Sequence, residues 1–105
     1  MSAEDDKVVP GEFSLGQNYP NPFNPSTSIQ YGLPVRSFVT LTVYNMLGQE
    51  VATLIEGERE AGYHTAKFDA RNLASGVYLY RLQAKREDGN RGGDFVQTRR
   101  LLLVR

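Results

Sequence analysis

Apolar side chains recur at every second residue along most of the chain. In the stretch SIQYGL the apolar positions are Ile29, Tyr31 and Leu33, and the residues between them are polar or glycine. A period of two places alternate side chains on opposite faces of a β-strand, whereas a helix repeats about every 3.6 residues. The same alternation recurs in three later segments, with expected buried positions at Val39, Leu41, Val43, Ala66, Phe68, Tyr78, Tyr80, Leu82 and Ala84. The pattern therefore predicts strands.

Turn-forming segments separate these runs at intervals of roughly 8–12 residues. They are LPVRS, MLGQE, EGEREAG, ARNLASG and EDGNRGGD, and the last predicts a hairpin between the final two strands. One run is ambiguous, because Val51, Leu54 and Ile55 of EVATLIEGE also fit a helical turn. Its brevity and its flanking glycines favour a strand. We therefore expect an all-β domain of about seven short strands, as an antiparallel sandwich or barrel.

The motif Gly76-x-Tyr78 favours an immunoglobulin-like β-sandwich. Such folds place a tyrosine at the start of the penultimate strand, where the ring fills the core and the hydroxyl bonds back to upstream backbone. Tyr80 stands where true immunoglobulin domains have their second cysteine. We predict an Ig-like antiparallel β-sandwich of about seven strands, with Tyr78 making this bond.

Three prolines and several asparagines precede the first alternating run, in NYPNPFNPST. Proline fixes its own φ and biases the preceding residue away from helical conformations, while asparagine side chains bond to nearby backbone. The segment is therefore expected to be an extended, kinked scaffold. We predict that Tyr19 and Phe23 turn inward and plug the open end of the sandwich.

Composition indicates a single folded domain. A chain of 105 residues without cysteine is long enough to bury one core, and it can form neither a disulfide nor a cysteine-based metal site. The acidic start lacks the apolar segment of a secretory signal, and no run approaches the length of a membrane-spanning helix. We interpret residues 1–12 as a linker or leader and residues 13–105 as the domain.

Charge is balanced overall and uneven along the chain. The net charge is zero, which argues against a nucleic-acid partner. Residues 1–60 contain eight acids and three bases, whereas residues 61–105 contain four acids and nine bases. Two interpretations stay open: opposite charges of the two halves meet across neighbouring strands, or the second half presents a basic face to an anionic partner.

Candidate catalytic and metal-binding residues are few. His64 is the one histidine, so a multi-histidine metal site cannot form and a catalytic triad would depend on this single imidazole. Its phase places it at the core or its rim, which argues against both. Glu56, Glu58 and Glu60 alternate, but they supply too few oxygen ligands for calcium. We therefore expect no catalytic residue, metal or cofactor. Tyr44 and Tyr63 are the aromatic residues most expected at the surface.

Several separate motifs resemble one known family. They are LGQNYPNPFNPSTSIQYGLP, the long stretch from VTLTVYNMLGQE to GVYLYRLQA, and the terminal QTRRLLLVR. In order and spacing, over roughly residues 13–105, they resemble the C-terminal sorting domain of type IX secretion (type A), which is related to the Ig-like domain of the flagellar hook-cap protein. The resemblance implies a targeting module rather than an enzyme.

Further expectations follow from the resemblance. It implies an exported protein that crosses the periplasm, with an N-terminal cargo domain, and then reaches the cell surface or is secreted. The implied partners are the outer-membrane translocon and a sortase-like protease that removes the domain; no nucleic acid and no membrane span are implied. The residues that match the family's two late motifs are Gly76, Tyr78, Arg99, Arg100, Leu101, Leu102, Leu103 and Val104.

A terminal strand suits recognition by such machinery. It can be captured at its end or by addition of a partner strand. If it lies at a sheet edge, Arg99 and Arg100 would limit indiscriminate pairing and offer an electrostatic contact. Two alternatives remain at this point: a carbohydrate- or surface-binding module of a secreted hydrolase that uses Tyr44 and Tyr63, and a structural Ig-like spacer.

Overall fold

The computed structural model describes residues 8–89 and 93–105, and these residues form strands without any helix. Two antiparallel sheets have the strand orders β1-β2-β5 and β4-β3-β6-β7. Their inner faces enclose a single core, so the predicted all-β, seven-stranded sandwich is confirmed. The strands are β1 (Ser14–Leu15), β2 (Ser26–Leu33), β3 (Ser37–Tyr44), β4 (Glu50–Arg59), β5 (Gly62–Asp69), β6 (Gly76–Arg86) and β7 (Phe95–Leu103).

The core consists of the apolar residues that recur at every second position in the sequence. Every second side chain of the central strands is buried, because one face of each sheet contacts the other sheet and the opposite face contacts water. The buried apolar side chains on these strands include Ile29, Tyr31, Leu33, Val39, Leu41, Val43, Ala66, Phe68, Tyr78, Tyr80, Leu82, Ala84, Leu101 and Leu103. The predicted inward positions are confirmed.

The ambiguous EVATLIEGE run is a strand, β4, at one edge of the four-stranded sheet. Its pairing with β3 shifts register twice, between Leu41 and Thr42 and between Val43 and Tyr44. Such irregularities explain why its apolar residues do not alternate cleanly. At the other edge β6 and β7 pair antiparallel, as the predicted hairpin requires, although its tip at residues 90–92 lies outside the described part.

The folded unit extends into the predicted leader. Pro10 is buried, and it packs where Gly32 leaves room: a Cβ built on Gly32 would lie 3.0 Å from the Pro10 Cγ and 3.1 Å from a ring carbon of Tyr63. Glycine at position 32 therefore permits this close approach. Val8 and Val9, just before it, are exposed, so packing of the described chain begins at Pro10.

The ion pairs of the described residues do not join the bases of the second half to the acids of the first. Among the described residues, Arg36 pairs with Glu58, Glu60 and Glu87, and the other pairs are Arg71–Asp69 and Arg86–Asp88. Within this set, no base of residues 61–105 meets an acid of residues 1–60. Arg71–Asp69 and Arg86–Asp88 are local pairs two residues apart, whereas Arg36 joins acidic residues that are distant in the sequence, with Glu87 in the other half of the chain.

Candidate signal surface on the last strand

Gly76 and Tyr78 shape the beginning of β6. Gly76 has a φ of 152°, a backbone conformation that residues other than glycine rarely adopt. Two residues later Tyr78 is buried, and its hydroxyl donates a 2.6 Å hydrogen bond to the carbonyl oxygen of Ala74. The predicted bond to upstream backbone is therefore present. It fixes the loop that precedes β6.

Tyr80 connects the two sheets from the position predicted for the second cysteine. Its buried hydroxyl donates to the Gly16 carbonyl at 2.7 Å and accepts a 2.9 Å bond from the Asn18 amide. Burial raises the pKa of this phenol above its ordinary value, although the Asn18 amide and the charge of Arg99 act in the opposite direction. The hydroxyl therefore stays protonated and holds the segment after β1 against β6.

The end of β7 has an inward and an outward face. Leu101 and Leu103 are buried in the core, whereas Leu102 is 37% exposed and Val104 is 48% exposed. Arg100 is exposed on the same side as these two. We call Arg100, Leu102 and Val104 the outward row. A shallow depression of about 270 Å³ beside it is lined by Asn21, Val77, Arg100, Leu101 and Leu102.

Residues 17–23 cover the free edge of β7 beside this row, and we call them the strap. Gln17 donates to the Arg100 carbonyl at 2.7 Å, and the Leu102 amide donates to Oδ1 of Asn21 at 3.0 Å. Phe23 completes the contact, because its amide donates to the Leu102 carbonyl and its carbonyl accepts from the Val104 amide, each at 3.0 Å. The strap therefore satisfies outward backbone groups from Arg100 to Val104.

The plug prediction holds for one aromatic ring and fails for the other. Phe23 is buried, with its ring 6.1 Å from that of Phe68 at the end of the core. Tyr19 is 80% exposed, so its predicted inward position is wrong. The reason is pairing: Tyr19 forms a two-way backbone bridge with Ser28, which aligns it with β2 and points its ring outward.

The two neighbouring arginines have different surroundings. Arg99 is partly buried, and its Nε donates a 2.6 Å bond to the Leu15 carbonyl, which ties β7 to β1. Arg100 follows it on the opposite face and is exposed. The strand alternation thus assigns Arg99 to the fold and leaves Arg100 to the surface.

Arg99→Ala is expected to lower the free energy of unfolding by about 1.5 kcal/mol, because a charged donor to a backbone carbonyl is lost. Arg100→Ala is the matched control, and it should change stability by less than about 0.5 kcal/mol. Chemical denaturation of the two variants measures both values. Equal losses would show that the two side chains do not differ in this way.

Arg105 has a structural contact that sequence reasoning missed. Its Nη1 lies 3.2, 2.6 and 3.0 Å from the carbonyl oxygens of Ala70, Arg71 and Leu73, and its amide donates to Oγ of Ser75. These carbonyls belong to the loop between β5 and β6, over thirty residues away along the chain. No local pattern indicates such a contact. The last side chain is held against the fold.

The two tyrosines expected at the surface do not form one binding surface, and only Tyr63 is exposed, whereas Tyr44 is half-buried. Tyr44 lies on the outer face of the four-stranded sheet, with the Arg81 guanidinium 5.1 Å from its ring centre and a 2.8 Å hydrogen bond between them. Tyr63 lies on the outer face of the other sheet, beside Pro10. The side chains therefore face opposite directions, which argues against a shared sugar platform. His64 is at the rim, stacked on Tyr31.

In residues 8–89 and 93–105, no group of three or more histidine, cysteine, aspartate or glutamate side chains could hold a metal ion. In the same residues no helix is long and apolar enough to cross a membrane.

Comparison with known families gives a match over residues 17–91 to the family described as "Secretion system C-terminal sorting domain". This range covers more than half of the chain. The chain belongs to this family. The sorting domain is thus of the kind that acts as a C-terminal signal for type IX secretion, in exported proteins of the cell surface or the medium. A search of curated proteins gave no match.

The matched range includes the strap and the Gly76-x-Tyr78 motif, and it ends before β7. In the folded sorting domain, Asn18 of the strap is nevertheless hydrogen-bonded to Tyr80. Gln17 and Asn21 of the strap are hydrogen-bonded to β7. The matched range therefore includes residues that bond to the final strand, while the outward row itself lies outside the match.

Proposed function

We propose that the sorting domain directs an N-terminally attached cargo through the outer-membrane translocon of type IX secretion to the cell surface. The observation that carries this proposal is the family match, together with the outward row that the fold displays on the last strand. The domain acts by being recognised, and its own chemistry is limited to surface contacts.

The outward row has the composition of a recognition surface. Leu102 and Val104 are exposed apolar side chains from which a bound partner would displace water. Arg100 adds a planar cationic group. Val77 of β6, opposite Leu102 in the pairing register, is also exposed and widens the apolar area. An apolar partner surface with a carboxylate would complement this set.

The amino-terminal end suits a tether to cargo. Val8 and Val9 are exposed immediately before the buried Pro10. A protease that releases cargo would therefore reach the chain before Pro10 without opening the sandwich. Cleavage by a sortase-like enzyme at this boundary is part of the proposal.

The test is an export assay in a bacterium with an active type IX system. A reporter with its own periplasmic signal is fused in front of the whole 105-residue chain, and surface and periplasmic fractions are measured. We expect reporter on the surface with the chain and in the periplasm without it. Retention of the fusion in the periplasm, while the host exports its own substrates, would refute the proposal.

A further inference from the structure

The outer edge of β7 is covered over only part of its length. β7 is the last strand of its sheet, so the backbone amides and carbonyls that point away from β6, here called outward backbone groups, have no strand partner. The strap bonds to the outward groups of Arg100, Leu102 and Val104. Because outward groups alternate along an antiparallel strand, Val96 and Thr98 also point their amides and carbonyls away from β6. We call residues 95–98 the open edge.

The open edge lacks the features that usually prevent pairing. Edge strands are normally blunted by charge, proline, bulges or extreme shortness. Residues 95–98 are Phe, Val, Gln and Thr, with no charge, and Val96 is 55% exposed. Their pairing with β6 is regular, without a register shift. An uncharged, regular and accessible edge is a template for another strand.

The other edges of the described sandwich are blunted. β4 has two register shifts and exposes Glu56. β5 has Lys67 and Asp69 among its exposed side chains, and β1 is two residues long. Residues 95–98 thus form an edge segment without charge and with regular pairing, whereas β4 has register shifts, β1 is very short and the far end of β5 carries charges.

We propose that an extended segment of the secretion machinery adds to the sandwich as a strand along the open edge. This inference rests on the proposed function and states how the signal is contacted. The open edge is continuous with the outward row, since Arg100 follows Thr98 on the same face of the same strand. A partner strand can therefore pair with the backbone of residues 95–98 and contact Arg100 and Leu102 with its neighbouring side chains.

A second copy of the chain fits this edge less well. Four residues of strand span only about 13 Å, and the strap closes the edge from Arg100 onward. Two copies that pair through so short a length bury much less than the roughly 1,000 Å² that a stable interface needs. A partner that also uses the outward row has more surface available.

Thr98→Pro tests this pairing because it removes an outward amide and leaves the bonds to β6 in place. Thr98→Val is the matched control, since it changes the side chain and retains the amide. In the reporter fusion described above, we expect Thr98→Pro to reduce surface reporter at least tenfold and Thr98→Val to leave it unchanged. Equal export of Thr98→Pro and wild type, with wild type exported, would overturn the inference and leave the proposed function intact.

A photocrosslinking amino acid decides the case in which Thr98→Pro fails to fold in a thermal melt. It is placed at Thr98 and, as a control, at Lys67 on the blunted edge of β5. Crosslinking of position 98, but not 67, to a secretion-machinery protein supports the inference. A crosslink only to a second copy of the chain, or none in cells that export the fusion, overturns it. If the wild-type fusion is not exported at all, the proposed function fails and the inference fails with it.

Discussion

Replacing Phe23 by alanine is expected to lower the free energy of unfolding by about 3 kcal/mol, the usual cost of deleting a buried aromatic ring. The ring closes the end of the core against Phe68, so its loss leaves a cavity. The backbone of the same residue makes two of the bonds between the strap and β7, and these would weaken as the strap loosens. For a domain of this size such a loss is a large part of the total stability. Urea denaturation measures it.

Tyr19→Ala is the matched control for this prediction, because both residues are aromatic and lie in the same proline-rich segment. With its ring exposed, Tyr19 should contribute less than about 0.5 kcal/mol. A loss for Tyr19→Ala as large as that for Phe23→Ala would contradict the assignment of Phe23 alone as the plug.

Alanine substitutions along the terminal LLLV run are expected to alternate in their effects. Leu101→Ala and Leu103→Ala should each destabilise the domain by about 3 kcal/mol, because both side chains are fully buried. Leu102→Ala and Val104→Ala should each cost less than about 1 kcal/mol, since they remove partly solvated side chains. Denaturation of the four single variants measures these losses. If residue type alone decided stability, the losses at Leu101, Leu102 and Leu103 would be equal.

The same series separates folding from recognition. Leu102→Ala should keep a cooperative thermal transition close to that of wild type and lose export of a fused reporter, whereas Leu103→Ala should lose export only together with stability. Similar destabilisation by Leu102→Ala and Leu103→Ala would show that the end of β7 lacks the two faces described above.

Local patterns predicted the parts of the fold that depend on neighbouring residues. Alternation at Ile29, Tyr31 and Leu33 predicted β2 and its buried face, because the period of a strand is visible within six residues. The bond from Tyr78 to Ala74 was also predictable, since it spans four residues in a recognisable turn. Phe23 was correctly expected inside.

Contacts between distant residues could not be predicted in the same way. Asn21 and Leu102 are 81 residues apart, and Gly16 and Tyr80 are 64 apart, so no periodicity connects them. Tyr19 was misplaced because its direction depends on pairing with Ser28 rather than on the prolines beside it. The separation of Arg99 from Arg100 required the register of β7 against β6, which places Arg99 opposite Tyr80.

The strap ties the Asn-Pro segment to the end of β7, where we propose that the signal lies. It is bonded to Arg100, Leu102 and Val104, although it lies near the other end of the sequence. A folded sandwich is therefore required to hold the last strand with Leu102 outward and Leu103 inward. We infer that the machinery recognises a surface of the folded domain rather than a linear tail.

The role of the outward row as the export signal is tested most directly with a reporter fused to the chain in which Arg100, Leu102 and Val104 are all alanine. The quantity measured is the fraction of reporter on the cell surface. A control fusion has alanine at Tyr63, Thr65 and Lys67, which are exposed on the outer face of β5. We expect the first variant to stay folded and periplasmic, and the control to be exported like wild type. Export of the first variant at the wild-type level would contradict the claim that the outward row is the signal.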